Sequence, residues 1–487
     1  MTVTKEKNKK NKKKILVGDL TTGNVTKKIM QFAMPVLLGN LLQQFYNLVD
    51  SIIVGRCVGK DAFAAVGSTG AINFMIIGFV LGTTWGVSIP VAQKFGAKDF
   101  SAMRKKISDA IYVSTIIGIV ITILTVIFTK PLLELMNTPS DIIGDAALYI
   151  GIIFAGIPAI LLYNIPAGIS RAIGDSKTPL YFLIFSACLN VVLDLIFVLP
   201  LQMGVAGTAI ATVISQAISG ILCIIYMKHK HPFLKFEAGE RRVMLPAMWL
   251  SFKMGAPMGM QFSITAIGSV ILQTAINGLG SDAVASINAA SKLQLILVTP
   301  MDALGASIAT YCGQNYGAGN FERIKEGVRK GFKIAVSFAI TAAILANVFA
   351  KPVLYLFVDA SEITPQIVTW VRTFMLINSC FYVTLAIIFI YRNAIQGLGR
   401  SAIAMLAGVA ELVGRSFAAI IFVQIWGFTG VCFGNILAWI LADAILIPSY
   451  IITLRKIKKK LVPGSLEIDK RALTSKKEMK KIEKKQL

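Results

Sequence analysis

The first half of the chain recurs in the second at a constant offset. Gln93, Phe95, Gly96, Ala97 and Phe100 are matched 221 residues later by Gln314, Tyr316, Gly317, Ala318 and Phe321, and the same offset pairs Gly59 and Asp61 with Gly280 and Asp282, and Lys130-Pro131 with Lys351-Pro352. Two copies of one unit restrict the available folds sharply, because each copy must present a face to the other and any site they share forms at the seam.

Each copy carries six apolar runs. They lie near 29–55, 65–95, 107–129, 145–168, 179–199 and 207–227, and again near 247–277, 287–316, 328–350, 366–394, 401–423 and 430–454. Each is long enough for a hydrocarbon core of about 30 Å. With 55% apolar and 15% charged residues, and a mean hydropathy of +0.70, the chain has too little charge for the surface of a soluble protein.

A net charge of +24 is compatible by itself with a nucleic-acid partner, but its distribution argues against one. With the N-terminus inside, 42 of the 49 Lys and Arg fall in alternate loops, while Arg56, Lys60, Lys130, Lys351 and Arg372 fall at outer ends and Lys292 and Arg415 inside spans. The positive-inside rule then puts both termini in the cytoplasm of a multi-pass cell-membrane protein and requires an even number of crossings. The expected fold is all-α: twelve transmembrane helices in two six-helix bundles, which are parallel repeats because each has an even number of spans. The expected organisation is a basic tail over 1–28, a first lobe over 29–228, a cytoplasmic linker over 229–246, a second lobe over 247–454 and a basic tail over 455–487. The lipid bilayer is the expected partner of the tails.

The linker, with His229, His231, Glu237, Glu240, Arg241 and Arg242, reads as a solvated connector, and two histidines at that spacing are weak evidence for a metal. The cysteines read as packing residues. No cofactor motif appears, and the absence of a G-x-x-x-x-G-K-[ST] loop removes ATP as a driving force within this chain. Without the motifs of a membrane-embedded enzyme, no catalytic residues are assigned.

Acidic residues inside the spans are few: Asp50, Asp194, Asp302, Glu411 and Asp443. An ionised carboxylate at mid-bilayer costs roughly 2.5–3.5 kcal/mol on insertion scales, so each needs a partner, a wet cavity or a proton. Glu411 and Arg415 are one helical turn apart and read as a structural ion pair. Asp302 and Asp443 have no such neighbour; Lys292 or another helix would have to supply one. Asp50 ends a stripe with Asn40, Gln43 and Asn47, confined to an arc of roughly 80° at 100° per residue. Ser186, Asn190 and Asp194 form a second stripe on the fifth span, and Thr208, Thr212, Ser215 and Ser219 a third on the sixth. Three polar faces at similar depth can converge, and two carboxylates, an amide and a hydroxyl brought together there would share protons or a small monovalent cation. Interhelical hydrogen bonds alone would also explain the stripes. In the second half Met258, Gln261 and Met301 suggest the adaptable wall of an apolar cavity, with Asn40, Gln43 and Asn47 facing it.

The motifs N-L-V-D at 47–50, Q-K-F-G-A at 93–97, Q-N-Y-G-A at 314–318, N-x-x-x-D at Asn190 and Asp194, and G-V-A-G-T-A-I-A-T at 204–212 resemble those of the MATE (multidrug and toxic compound extrusion) family. The resemblance implies a V-shaped pair of lobes that exports bulky apolar or cationic small molecules in exchange for H+ or Na+, with first-lobe carboxylates similar to those of the DinF-like branch. It carries the cation site onto Asp50, Asn190, Asp194 and Thr212, with Asn164 on the fourth span, and Na+ or H+ as the coupling ion. The acidic residues that the NorM-like branch places on the seventh and tenth spans are missing here, so coupling is expected in the first lobe only. A monomer is expected. The competing expectation is a lipid-linked saccharide flippase of the same broad superfamily.

Overall fold

The computed structural model describes residues 18–136, 138–241, 244–357 and 363–461. Most of both basic tails, and Arg242 of the linker, lie outside the described residues. Among the described residues the chain is all-α. We number the membrane helices α1 (Val25–Ile53), α2 (Gly70–Gly96), α3 (Phe100–Leu135), α4 (Ile143–Ala155 with Ile157–Ala172), α5 (Lys177–Val198), α6 (Gly204–Lys230), α7 (Leu245–Asn277), α8 (Ser281–Gly317), α9 (Phe321–Phe349), α10 (Pro365–Ser379 with Tyr382–Gly397), α11 (Ser401–Trp426) and α12 (Phe428–Leu461). Nine of these are long and apolar enough to cross a membrane, and the two bent pairs make eleven. The remaining helix, α1, is 29 residues long, and its polar stripe lowers its hydropathy.

The duplication is visible in the backbone. Gly59 and Gly280 precede equivalent helices with φ of 135° and 98°, conformations in which a side chain would be strained. The fourth helix of each copy is bent, α4 by 45° and α10 by 50°. In α4 the break falls at Gly156, two residues before Pro158, which cannot donate to the helical ladder.

The two copies meet through their repeated motifs. A Cβ on Gly96 would stand 1.9 Å from the Gln314 carbonyl oxygen, and one on Gly317 would stand 1.7 Å from that of Gln93. Each glutamine side chain also reaches the far copy: Gln93 Nε2 donates to the Gly397 carbonyl at 3.1 Å, and Gln314 Nε2 to the Ala172 carbonyl at 2.9 Å. The lock is reciprocal. It stands at the basic end because α8, at 37 residues, is about 55 Å long and projects past the hydrocarbon. Farther in, Gly82 and Gly86 of α2 face Gly255 and Gly259 of α7, with Gly86 only 2.6 Å, measured from an added Cβ, from the Gly255 Cα. Two small-x-x-x-small patterns thus let the backbones touch, which is how helices adhere where lipid offers no hydrophobic drive.

The basic halves of α1 and α7 are exchanged between copies. Ile29, Phe32 and Ala33 of α1 join the core of α8 and α9, while Met248 of α7 packs with Val87, Ala110 and Val113 of α2 and α3. An arginine clasps the segment leading into each. Arg323 donates to the carbonyls of Gly23 and Leu20 before α1, and Arg104 donates to the Phe233 carbonyl and pairs with Glu240 at 2.6 Å before α7.

The linker is therefore not the solvated connector its polarity suggested. Glu240 is buried, and the Arg104 hydrogen bond, with burial opposing it, holds its carboxyl down to about 2. His231 is buried too, its Nε2 3.0 Å from Asp175, which also takes Lys230 Nζ at 2.8 Å. Burial would raise the Asp175 carboxyl; hydrogen bonds from His231, Lys230 and Thr178 outweigh it and hold the group below the ordinary range.

Replacing Gly96 or Gly317 by Val is expected to break the closure, since the clash is with backbone and cannot be relieved by a rotamer. A maleimide should then label a cysteine placed at Ala172 in the variants and spare it in the parent. Gly70→Ala, which meets no atom within 4 Å, should behave like the parent.

Candidate functional site

The polar stripe of α1 divides along its length. Asn40 faces α8 and donates from Nδ2 to Asp302 at 2.9 Å. Gln43 and Asn47 pair with each other at 3.4 Å on an exposed face. One turn on, the Asp50 carboxyl lies close enough to that of Asp194 for the two to interact, just before α1 loosens into a π turn over Val54–Val58. Such turns are frequent at functional positions.

Around the two carboxyl groups, α5 and α6 supply the rest. Asn190 and Asp194 are both fully buried. Asn190 Nδ2 donates to Thr212 Oγ1 at 3.3 Å and, at the limit of hydrogen bonding, to Asp194 Oδ1 at 3.5 Å. The hydroxyls of Tyr46 and Thr212 are 3.1 Å apart, and buried Tyr149 of α4 lies within electrostatic range of both carboxyls. Neither tyrosine is evident in the sequence as a site residue, because an aromatic in an apolar run looks like lipid-facing or core packing.

Three oxygens in this cluster are buried without a hydrogen-bond partner: Asp50 Oδ1, Asp194 Oδ2 and Asn190 Oδ1. A buried acceptor left unpaired costs about 1–3 kcal/mol, more when charged. Two carboxylates in contact cannot both stay ionised without a proton or cation between them. The donor set, all oxygen and nearly all fixed by neighbouring helices, fits a proton or a small hard cation. Asn164 on α4 donates from Nδ2 to the Ile160 carbonyl one turn back at 2.8 Å.

The expected substrate wall on the second copy is corrected by packing. Met301 is fully buried in the core shared by α8 and α9. Met258 is buried against α2, its Sδ 3.1 Å from a Cβ added at Gly86, because the facing glycines bring α7 too close to leave a cavity. Gln261 is also buried and accepts from Gln396 Nε2 at 2.8 Å.

Glu411 and Arg415 do pair, at 3.5 Å, but Arg392 of α10 grips the same carboxylate more tightly. In the sequence Arg392 stands beside the basic loop that follows α10, where a cation looks like a topology marker. Its spacing of four from Gln396, on one face of α10, is the signal that places it inward. It also acts electrostatically on Asp302 and on Asp443, whose two carboxylate oxygens are buried without a hydrogen-bond partner. Lys292 is exposed, and Asp302 takes Asn40 instead.

A duplicated bundle of twelve spans, with ionisable groups buried inside each copy, defines a membrane transporter built from internal repeats. The model of the MatE family matches residues 35–196 and 257–421, one stretch in each copy, and the chain belongs to that family. It is 31% identical over 347 residues to the probable multidrug resistance protein YoeA of Bacillus subtilis, covering 70% of this chain and 75% of that one. It is 24% identical over 420 residues to the multidrug export protein MepA of Staphylococcus haemolyticus, covering 85% and 91%. Among solved structures, a MATE protein in complex with MaL6 superposes with a TM-score of 0.83 at 23% identity, covering 90% of this chain and 98% of that chain. A MATE protein in the bent conformation gives 0.82 at 24%, covering 91% and 98%. These superpositions carry the fold.

Arg392→Leu leaves Glu411 with its weaker partner in a buried place, and the expected loss is about 3 kcal/mol. A thermal-unfolding series should show the double variant Arg392→Leu with Glu411→Leu losing less than Arg392→Leu alone. A loss in the double variant equal to the sum of the two single losses would mean that the pair does not couple.

Proposed function

We propose that this protein is a secondary active multidrug efflux antiporter, exporting bulky apolar or cationic organic compounds in exchange for H+ or Na+. The coupling cation binds in the first copy, at Asp50, Asn190, Asp194 and Thr212, with the Tyr46 hydroxyl ordering Thr212. The observation that carries this reading is the set of three buried, unpartnered oxygens on Asp50, Asp194 and Asn190. The names of the relatives, multidrug resistance and multidrug export proteins, support the substrate class. The loop charges support an orientation with both termini in the cytoplasm of the cell membrane, which puts this site in the outer half of the bilayer. The protein works as a monomer, in the manner of the DinF-like branch.

The mechanism follows from charge. With no cation or proton between them, two adjacent carboxylates repel, so α1 and α5 are held apart and the polar face of α1 stays available to a cationic substrate. Arrival of H+ or Na+ from outside neutralises the pair, draws α1 onto α5 and α6, and withdraws that face from the substrate, which leaves outward. The copies then rock about the α2–α7 contact, the cation escapes inward, and the cycle restarts. A potential of about 100 mV supplies roughly 2.3 kcal/mol per charge moved, sufficient for a roughly fifty-fold substrate gradient.

In vesicles reconstituted with pure protein, a pH step and a sodium step applied separately should identify the ion by driving uptake of a fluorescent organic cation. Asp50→Asn and Asp194→Asn should each abolish gradient-driven uptake while leaving the thermal unfolding profile intact. Coupled transport retained by either variant rules out the assigned site.

A further inference from the structure

A groove of about 950 Å³ lies between α3, α4 and α6 on the first copy, away from the Asp50 cluster. That is at the upper end of roughly 300–1,000 Å³ for small-molecule sites. Its walls are apolar, with Ile111 and Ile119 on α3, Leu161, Leu162 and Ile165 on α4, and Ile224 on α6. Its mouth is basic, with Lys228 at the end of α6 and Lys235 and Arg241 on the linker.

The charge at this mouth is not balanced from within. The linker has two described carboxylates nearby, and Arg104 holds both, Glu237 at 2.9 Å and Glu240 at 2.6 Å. Lys230 is taken by Asp175. Among the described residues Lys228, Lys235 and Arg241 form no ion pair. Arg241 is held in place by other means: its guanidinium lies 5.1 Å from the Phe236 ring centroid, and its carbonyl accepts from the Tyr112 hydroxyl at 3.3 Å. Arg104 therefore fixes the linker over the groove and, by occupying its acids, leaves three cations facing the opening.

Depth matches one leaflet. The lining of α3 runs from Ile107 to Ile119, about 18 Å along a helix, against a half-thickness of about 15 Å for the hydrocarbon core. The deep end is where α4 bends, at Pro158. A ligand that fits must be anionic at one end and apolar over the length of an acyl chain.

We propose that this groove is a binding site for an anionic phospholipid of the leaflet at the basic end, with acyl chain along α3 and α4 and headgroup phosphate between Lys228, Lys235 and Arg241. Bound there, the lipid joins α3, α4 and α6 to the linker and so bears on the segment that leads into α7. The site is independent of the cation site and of the transported compound.

The test uses the purified, delipidated full-length protein and native mass spectrometry with dioleoyl phosphatidylglycerol, dioleoyl phosphatidylcholine and, separately, glycerol 3-phosphate. One phosphatidylglycerol should bind saturably and at least tenfold more tightly than phosphatidylcholine, and glycerol 3-phosphate should not compete. The triple variant Lys228→Gln, Lys235→Gln and Arg241→Gln should lose at least tenfold toward phosphatidylglycerol and little toward phosphatidylcholine. Leu162→Trp, which fills the groove without touching its charge, should weaken both lipids; it keeps the test decisive where the triple variant fails to fold. Equal affinity for the two lipids, unchanged phosphatidylglycerol binding in the folded variants, or competition by glycerol 3-phosphate as effective as whole lipid overturns the proposal. Asp50→Asn should bind phosphatidylglycerol like the parent, which separates failure here from failure of the cation assignment.

Discussion

The architecture depends on two glycines having no side chain. At Gly96 and Gly317 the two copies touch backbone to backbone, and the adjacent glutamines each cross to a carbonyl of the opposite copy. Neither contact would form if only one copy kept the motif, so the duplication persists at this point while sequence elsewhere diverges. The same end also gathers the segment before α1: Leu20 donates its N–H to Gln314 and accepts at its carbonyl from Asn315. Closure at the basic end thus adds a set of directional backbone contacts to the apolar anchoring of α1 and α7 in the opposite copies.

Much of this was legible in the sequence, and what was missed has a common cause. The 221-residue offset and the polar stripe of α1 are periodic signals within one helix or between two copies, and such signals survive in a linear string. Asp50, Asn190, Asp194 and Thr212 could be brought together because three stripes at similar depth have few ways to face the same place. Arg392 was hidden by its position next to the basic end, where a cation looks like a topology marker. His231 and Glu240 were hidden because their partners, Asp175 and Arg104, are 56 and 136 residues away. Burial of a polar loop residue is decided by its partner, and pairing over such distances leaves no local pattern. Met258 and Met301 failed for the opposite reason: composition suggested a soft wall, whereas the glycines of the facing helix decided that there would be no space.

The two copies handle the cost of buried charge differently. In the first, among the described residues, Asp50 and Asp194 form no ion pair with a base, and in the proposed cycle the missing positive charge comes from outside the protein. In the second, Arg392 and Arg415 are both engaged by Glu411, so the positive charge is built in. An internal counter-ion is permanent and stabilises one arrangement; an exchangeable one is present in some states and absent in others. The first arrangement is the one that we propose couples helix position to an ion gradient.

Pairing these two strategies within one duplicated fold gives each half a mechanical part. The second copy holds its Glu411 carboxylate between two guanidiniums. The first copy has a helix, α1, whose basic half is anchored in the other copy's core and whose far half ends at an acid pair with two oxygens unpaired and a third on neighbouring Asn190. Because the anchor is remote and the acid pair is close to the π turn, a change of one charge acts on the free half of α1 and leaves its base in place. In the proposed cycle motion therefore falls on the segment bearing Asn40, Gln43 and Asn47, the stretch of α1 between the anchor and the acid pair.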